Sequence, residues 1–132
     1  MTVAAQDTVL TTQMLTAHPW RVYEQRGVRG NSFFYYIRGG SNNTESLDNT
    51  SLKFNSNQTG VHTNNVGGTL NFTWEFANPE HTKLTFTLLN TPTNFTITWN
   101  NIRYKNGRLH IEEYYKDLNT GQWAHYNVIS MP

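Results

Sequence analysis

Leu70, Phe72, Trp74 and Phe76 alternate with Asn71, Thr73 and Glu75, and the same alternation recurs twice within the next two dozen residues. Leu84, Phe86 and Leu88 are interleaved with Lys83, Thr85 and Thr87; Phe95, Ile97 and Trp99 are interleaved with Asn94, Thr96 and Thr98. Successive side chains of a strand point to opposite faces, so this period of two predicts three neighbouring strands with one buried and one wet side. That division is the habit of antiparallel sheets. A helix would scatter the same aromatic residues around its circumference.

Turn chemistry extends the pattern along the chain. Asn106-Gly107 between Tyr104 and Arg108 is a strong two-residue hairpin signal, because both central residues must tolerate positive φ. Asn119-Thr120-Gly121 suits a longer hairpin, while Asn78-Pro79-Glu80 and Thr91-Pro92 interrupt strand pairs. Gly27 to Asn31 separates a strand over Trp20–Gly27 from one over Ser32–Arg38, and Asn55 to Gly60 separates Leu52–Phe54 from Val61–Asn64. Before Trp20, a short helix over Val9 to Ala17 is expected, capped by Asp7 or Thr8 and ended by Pro19. The polar stretch Gly39 to Thr50 reads either as a disordered loop or as a lid.

About eight short strands joined by sequential hairpins favour an all-β, up-and-down antiparallel barrel, which removes exposed sheet edges. A chain of 132 residues is one domain by size. The barrel is expected over residues 9–132, after a flexible N-terminus at 1–8.

Composition excludes several functions. The chain has no cysteine, so disulfides, zinc ribbons and thiol catalysis are absent. Ten basic and nine acidic residues give a net charge of +1, without the basic cluster that phosphate neutralisation demands, so nucleic acid is not an expected partner. No run approaches the roughly 20 apolar residues of a membrane span. Val3-Ala4-Ala5 before Gln6 has the small-residue pattern of a signal-peptidase site, which predicts an exported protein, secreted or held in the periplasm or cell envelope.

Three strands are less clean. Trp20, Val22, Glu24, Arg26 and Val28 fall on one face; so do Leu109, Ile111, Glu113 and Tyr115, and so do Trp123, His125, Asn127, Ile129 and Met131. If those apolar residues face inward, Glu24, Arg26, Glu113 and His125 go with them. Buried charges are costly unless paired, so such a barrel would hold a polar pocket.

The order of features resembles the small bacterial lipocalin-like domains of the calycin group. A short helix precedes a strand-opening tryptophan (Leu10 to Trp20, then Arg21-Val22-Tyr23), followed by Leu52-Lys53-Phe54-Asn55…Thr59-Gly60. Thr73-Trp74-Glu75-Phe76, Lys83-Leu84-Thr85-Phe86 and the run from Phe95-Thr96-Ile97 to Leu109-His110-Ile111 continue it. His18-Pro19-Trp20 stands where the family commonly carries Gly-x-Trp, and either Arg26 or Arg103 could supply the arginine that packs over that tryptophan. The resemblance implies a barrel with a pocket at one end for a small apolar or amphipathic molecule. No counterpart exists for the Arg-x-Tyr clamp of fatty-acid binders.

The motifs with chemically active side chains point away from a catalyst or a metal site. Glu112 and Glu113 point to opposite faces of one strand, so they cannot flank one bond, which leaves open only Glu113 with Glu24 across the barrel. His110 with Glu112 offers two ligands, too few for a metal. In the aromatic run, Phe33, Tyr35 and Ile37 are assigned to the core, with Phe34 and Tyr36 outside.

The sequence therefore predicts a non-catalytic binding barrel without cofactor or metal. Its polar contacts would be Glu24, Arg26, Glu113, Tyr115 and His125, with Tyr35, Trp74 and Trp99 as aromatic wall. The rival expectation is a filled barrel acting as a structural or interaction module of the cell envelope.

Overall fold

The computed structural model describes residues 8–89 and 94–132. Its only helix among them, α1 (Thr12–Thr16), is followed by nine strands: β1 (Trp20–Arg29), β2 (Ser32–Ile37), β3 (Ser51–Phe54), β4 (Thr59–Thr63), β5 (Thr69–Phe76), β6 (Leu84–Leu88), β7 (Phe95–Lys105), β8 (Arg108–Lys116) and β9 (Trp123–Met131). All pairings are antiparallel, and the sheet closes through β1 and β9. Nine strands make an eight-stranded barrel because β2 and β3 share one edge of β1. Glu24 to Arg29 pair with β2, whereas Trp20 and Arg21 pair with β3. One stave of the barrel is thus built in two pieces, with residues 38–50 looping out between them.

The three clean strands stand as their alternation predicts, with Phe72, Trp74, Leu84, Phe86, Ile97 and Trp99 facing inward and buried. Asn106 and Gly107 both take positive φ (53° and 76°) in the two-residue β7–β8 turn. Three boundaries move. β1 runs on to Arg29 and turns through Gly30 and Asn31. The helix is short and is capped by Thr11, whose Oγ1 accepts from the Met14 N–H at 3.1 Å. Thr8 lies in an isolated bridge with Tyr104, its N–H donating to the Tyr104 carbonyl at 3.0 Å. Asp7, Thr91-Pro92 and Val3-Ala4-Ala5 lie outside the described residues.

The end of the barrel beneath α1 is filled solid. Phe54 is the hub, with ring centroids of Phe72, Trp74 and Trp99 at 5.2, 5.6 and 5.6 Å. Edge-to-face contacts of this kind add to the area they bury. The buried indole N–H groups are satisfied locally: Trp20 Nε1 donates to the Leu15 carbonyl at 2.9 Å, and Trp74 Nε1 donates to the Asn55 carbonyl at 3.0 Å. His81, stacked on Phe76 at 3.8 Å, donates from Nδ1 to the Leu10 carbonyl and ties the entering chain to the same end.

Gly60 makes this plug possible. It stands between Phe54 and Phe72 in the register, and a Cβ there would collide with the Phe72 ring and the Lys53 carbonyl. Gly60→Ala is expected to cost about 1–3 kcal/mol, the usual range for overpacking. Urea unfolding of the variant should show a lowered midpoint at unchanged slope.

Candidate functional site

Two of the polar side chains inside the barrel, Gln25 and Arg29, are placed by one extra residue in β1. Val22 pairs with Ser130 and Glu24 with Ile129, so Tyr23 is a bulge that consumes no partner. A bulge shifts the alternation by one, and every later side chain changes sides. Trp20 and Val22 face inward before it, and Gln25, Gly27 and Arg29 face inward after it. Glu24, Arg26 and Val28 are turned to the outer wall, where Arg26 Nε lies 3.2 Å from Glu24 Oε1. The expected single face from Trp20 to Val28 is therefore broken in its middle.

The neighbouring strands follow this phase. On β9 the buried set is Ala124, Tyr126, Val128 and Ser130. His125 lies outside, stacked on Tyr114 with centroids 4.3 Å apart. On β2, Tyr36 pairs with Gln25 and is fully buried, whereas Tyr35 pairs with Arg26 on the outer side. The expected order of the aromatic run is thus inverted: Phe34 and Tyr36 face in, while Tyr35 faces out and Phe33 is 62% exposed. A second bulge in β7, between Asn100 and Arg103, turns Ile102 inward and Arg103 outward. Arg26 and Arg103 line an outer groove, and the rings at Trp20 are those of His18 and Tyr104.

Above the aromatic plug the barrel is hollow. A half-open cavity of about 300 Å³ has an apolar wall that includes Val22, Leu52, Phe86, Leu88, Phe95 and Ile97. Its polar lining comprises Gln25, Arg29, Glu45, His62, Glu113 and Tyr115, with Tyr126 beside them. That volume is at the lower end of small-molecule sites.

Glu113 is the deepest acid. It pairs across the sheet with Trp99 on one side and Tyr126 on the other, and Trp99 Nε1 donates to its Oε1 at 3.0 Å. Burial pushes its carboxyl above the usual range; the Trp99 N–H opposes this shift and Glu45 adds to it. Room for Tyr126 comes from Gly27, its partner in β1, where a Cβ would strike the His125 carbonyl and the Tyr126 ring. Tyr115 donates its hydroxyl to that of Tyr126 at 3.4 Å, and burial raises the Tyr126 phenol above its ordinary value.

The remaining wall is supplied by residues 38–50, which fold back on β2 as an ordered cover. The Thr44 N–H donates to the Tyr35 carbonyl at 2.9 Å, and Tyr36 donates its hydroxyl to Asp48 at 2.6 Å. Burial and that hydrogen bond raise the Tyr36 phenol to about 12. Glu45 and Leu47 from this segment reach the cavity. Gln25 Nε2 donates to Glu45 at 3.2 Å. Burial raises the Glu45 carboxyl, with Arg29 and Gln25 pulling the other way. Burial also lowers the His62 imidazole.

Of the expected contacts, Glu113 and Tyr115 line the cavity, and Trp99 reaches it through Glu113. Trp74 belongs to the plug. Glu24, Arg26, Tyr35 and His125 are on the outer wall. Gln25, Arg29, Glu45, His62 and Tyr126 were not anticipated; a glycine inside a strand, Gly27, is the one sequence signal of a bend or close approach there. Glu112, opposite in sense to Glu113, is held outside by Asn101. Among the described residues, no group of three or more His, Asp or Glu gathers as a metal site, and no helix is long and apolar enough to cross a membrane.

No family model matches the chain, and no curated protein and no solved structure matches it. The class of protein is accordingly defined by architecture: a closed eight-stranded antiparallel barrel, consistent with a calycin-like fold.

The state of Glu113 has a consequence for stability. Below the ordinary carboxylate range its side chain is neutral both folded and unfolded; above its raised folded value, folding must bury a charge. Its contribution is therefore full at low pH and declines as pH rises through the raised value. Glu113→Gln should gain stability relative to wild type near pH 8 but not near pH 4, read by urea unfolding at both.

Proposed function

We propose that this chain is a lipocalin-like binding protein that holds a small, partly apolar molecule in the open half of its barrel. One observation carries the reading: above a solid aromatic plug, an apolar-walled cavity of about 300 Å³ gathers Glu113, Glu45, Gln25, Arg29 and Tyr115. A protein with no ligand to orient gains little from desolvating such groups, because each buried polar atom costs free energy unless it is paired. The short helix before Trp20 and the up-and-down strand order support kinship with the lipocalin-like domains. The reading includes export, the expectation attached to Val3-Ala4-Ala5.

Mass spectrometry of small molecules released from the natively purified protein tests the reading directly, and a neutral solvatochromic dye such as N-phenyl-1-naphthylamine tests the lumen. Leu88→Trp, which fills the cavity, should weaken dye binding by about tenfold or more, equivalent to about 1.4 kcal/mol. Arg26→Ala on the outer wall should leave it unchanged. A protein that releases no compound and binds no such dye would end the proposal.

A second reading, an interaction module of the cell envelope, is favoured by the outer wall. Val28 and Phe33 are cross-strand partners, 43% and 62% exposed, and Trp123 is 66% exposed. Under it, Phe33→Ser rather than Leu88→Trp would alter the assemblies recovered by size-exclusion chromatography from a native extract.

A further inference from the structure

The charged groups facing the lumen are unevenly matched. Glu113 rises from its floor and Glu45 enters from the 38–50 segment. Arg29 is the guanidinium facing the same space, and its single charge is shared among several groups: it lies 4.5 Å over the Phe34 ring and 3.8 Å from Asp117, is hydrogen-bonded with Tyr115 and also acts on Glu45, which leaves Glu113 without a cation of its own. His62 is held toward its neutral form by burial. One Glu113 oxygen accepts from Trp99, and the carboxyl lines the cavity. The walls beside it carry the rings of Phe86, Phe95, Tyr115 and Tyr126.

An anionic head group would meet two carboxyls in this space. A neutral head group could hydrogen-bond to Glu113 without relieving the charge. A protonated amine does both, since charge-assisted hydrogen bonds to carboxylates are shorter and stronger than neutral ones. Aromatic faces also attract cations, most of all where water is excluded. The cavity volume of about 300 Å³ keeps such a ligand small.

We propose that the lumen takes a small primary amine, its ammonium between Glu113 and Glu45 and its apolar body against Phe86, Phe95 and Leu88. This rests on the binding reading above and specifies its ligand class. Ion pairing requires the Glu113 carboxylate, so a protein that starts with this group protonated releases the proton as the amine enters. Affinity for the amine rises as pH climbs toward and past the elevated Glu113 value. The groups facing Glu113 are Trp99 from β7, Tyr115 from β8, Tyr126 from β9, Gln25 and Arg29 from β1, His62 from β4 and Glu45 from the covering segment. Protonation of His62 at low pH works in the same direction, and Glu113→Gln separates the two.

The test uses three probes with one body and different heads: 2-phenylethylamine, 2-phenylethanol and 3-phenylpropanoate. Titration calorimetry with the intact protein near pH 8 should give the amine at least about tenfold over the alcohol, with the acid weakest. Near pH 5 that ratio should shrink. Proton release near pH 5 should appear as a dependence of the measured heat on buffer ionisation enthalpy. Glu113→Gln, and independently Glu45→Gln on the covering segment, should each bring the amine-to-alcohol ratio toward one. An amine that binds no better than the alcohol overturns the ligand class and leaves the binding reading standing. If none of the three binds while the neutral dye does, the ligand class again fails alone. If the dye fails too, the binding reading falls with it.

Discussion

Strand β1 is hydrogen-bonded along both edges, to β9 on one side and to β2 and β3 on the other, and the cylinder closes through it. A strand in that position must bend to follow the wall, and the bend is concentrated at Tyr23, where two residues of β1 oppose one step of β9. Sterics then dictate the rest. Because side chains alternate, one added residue sends Gln25 and Arg29 into the lumen and Glu24 and Arg26 out of it. Gly27, without a Cβ, lets β1 approach β9 closely enough for the Tyr126 ring to lie over it. The share of the cavity's polarity that β1 supplies follows from the geometry of closure.

The two halves of the interior do different work. Beneath, Phe72 and Trp74 pack edge to face on Phe54 with Trp99 tilted against it, and the indole N–H groups of Trp20 and Trp74 find carbonyl partners in adjoining segments. Apolar burial of this kind is the dominant favourable term in folding. Above, side chains are kept apart and several are polar, so that half contributes less to stability. Trp99 joins the two: its ring is in the plug and its N–H is on Glu113. The site therefore stands on the aromatic cluster, and a packed support is what holds a carboxyl in one orientation.

The sequence made the framework readable wherever one face of a strand is apolar and the other polar. β5, β6 and the first half of β7 meet that condition, and their inward residues could be named from period alone. β2 does not, since Phe33, Phe34, Tyr35 and Tyr36 put aromatic rings on both faces and leave no contrast to read. On β9 the inward row contains the small residues Ala124 and Ser130, while Ile129 and Met131 lie on the outer face. Amphipathic contrast is then reversed. A bulge leaves no mark in composition, so Glu24 and Arg26 were exchanged for Gln25 and Arg29. Glu113 and Tyr115 were found because β8 carries no irregularity along the Leu109–Tyr115 row. Glu45 was out of reach, as a residue in a polar loop has no periodicity to betray where it returns.

The stave made of β2 and β3 gives the molecule a divided architecture. Residues 38–50 leave the sheet and come back to it, fastened by hydrogen bonds from Thr44 and to Asp48 rather than by burial in the plug. Insertions and exchanges in that excursion alter the wall of the chamber while leaving the aromatic foundation untouched. A change in that excursion is thus separable, physically, from the packing that holds the cylinder together.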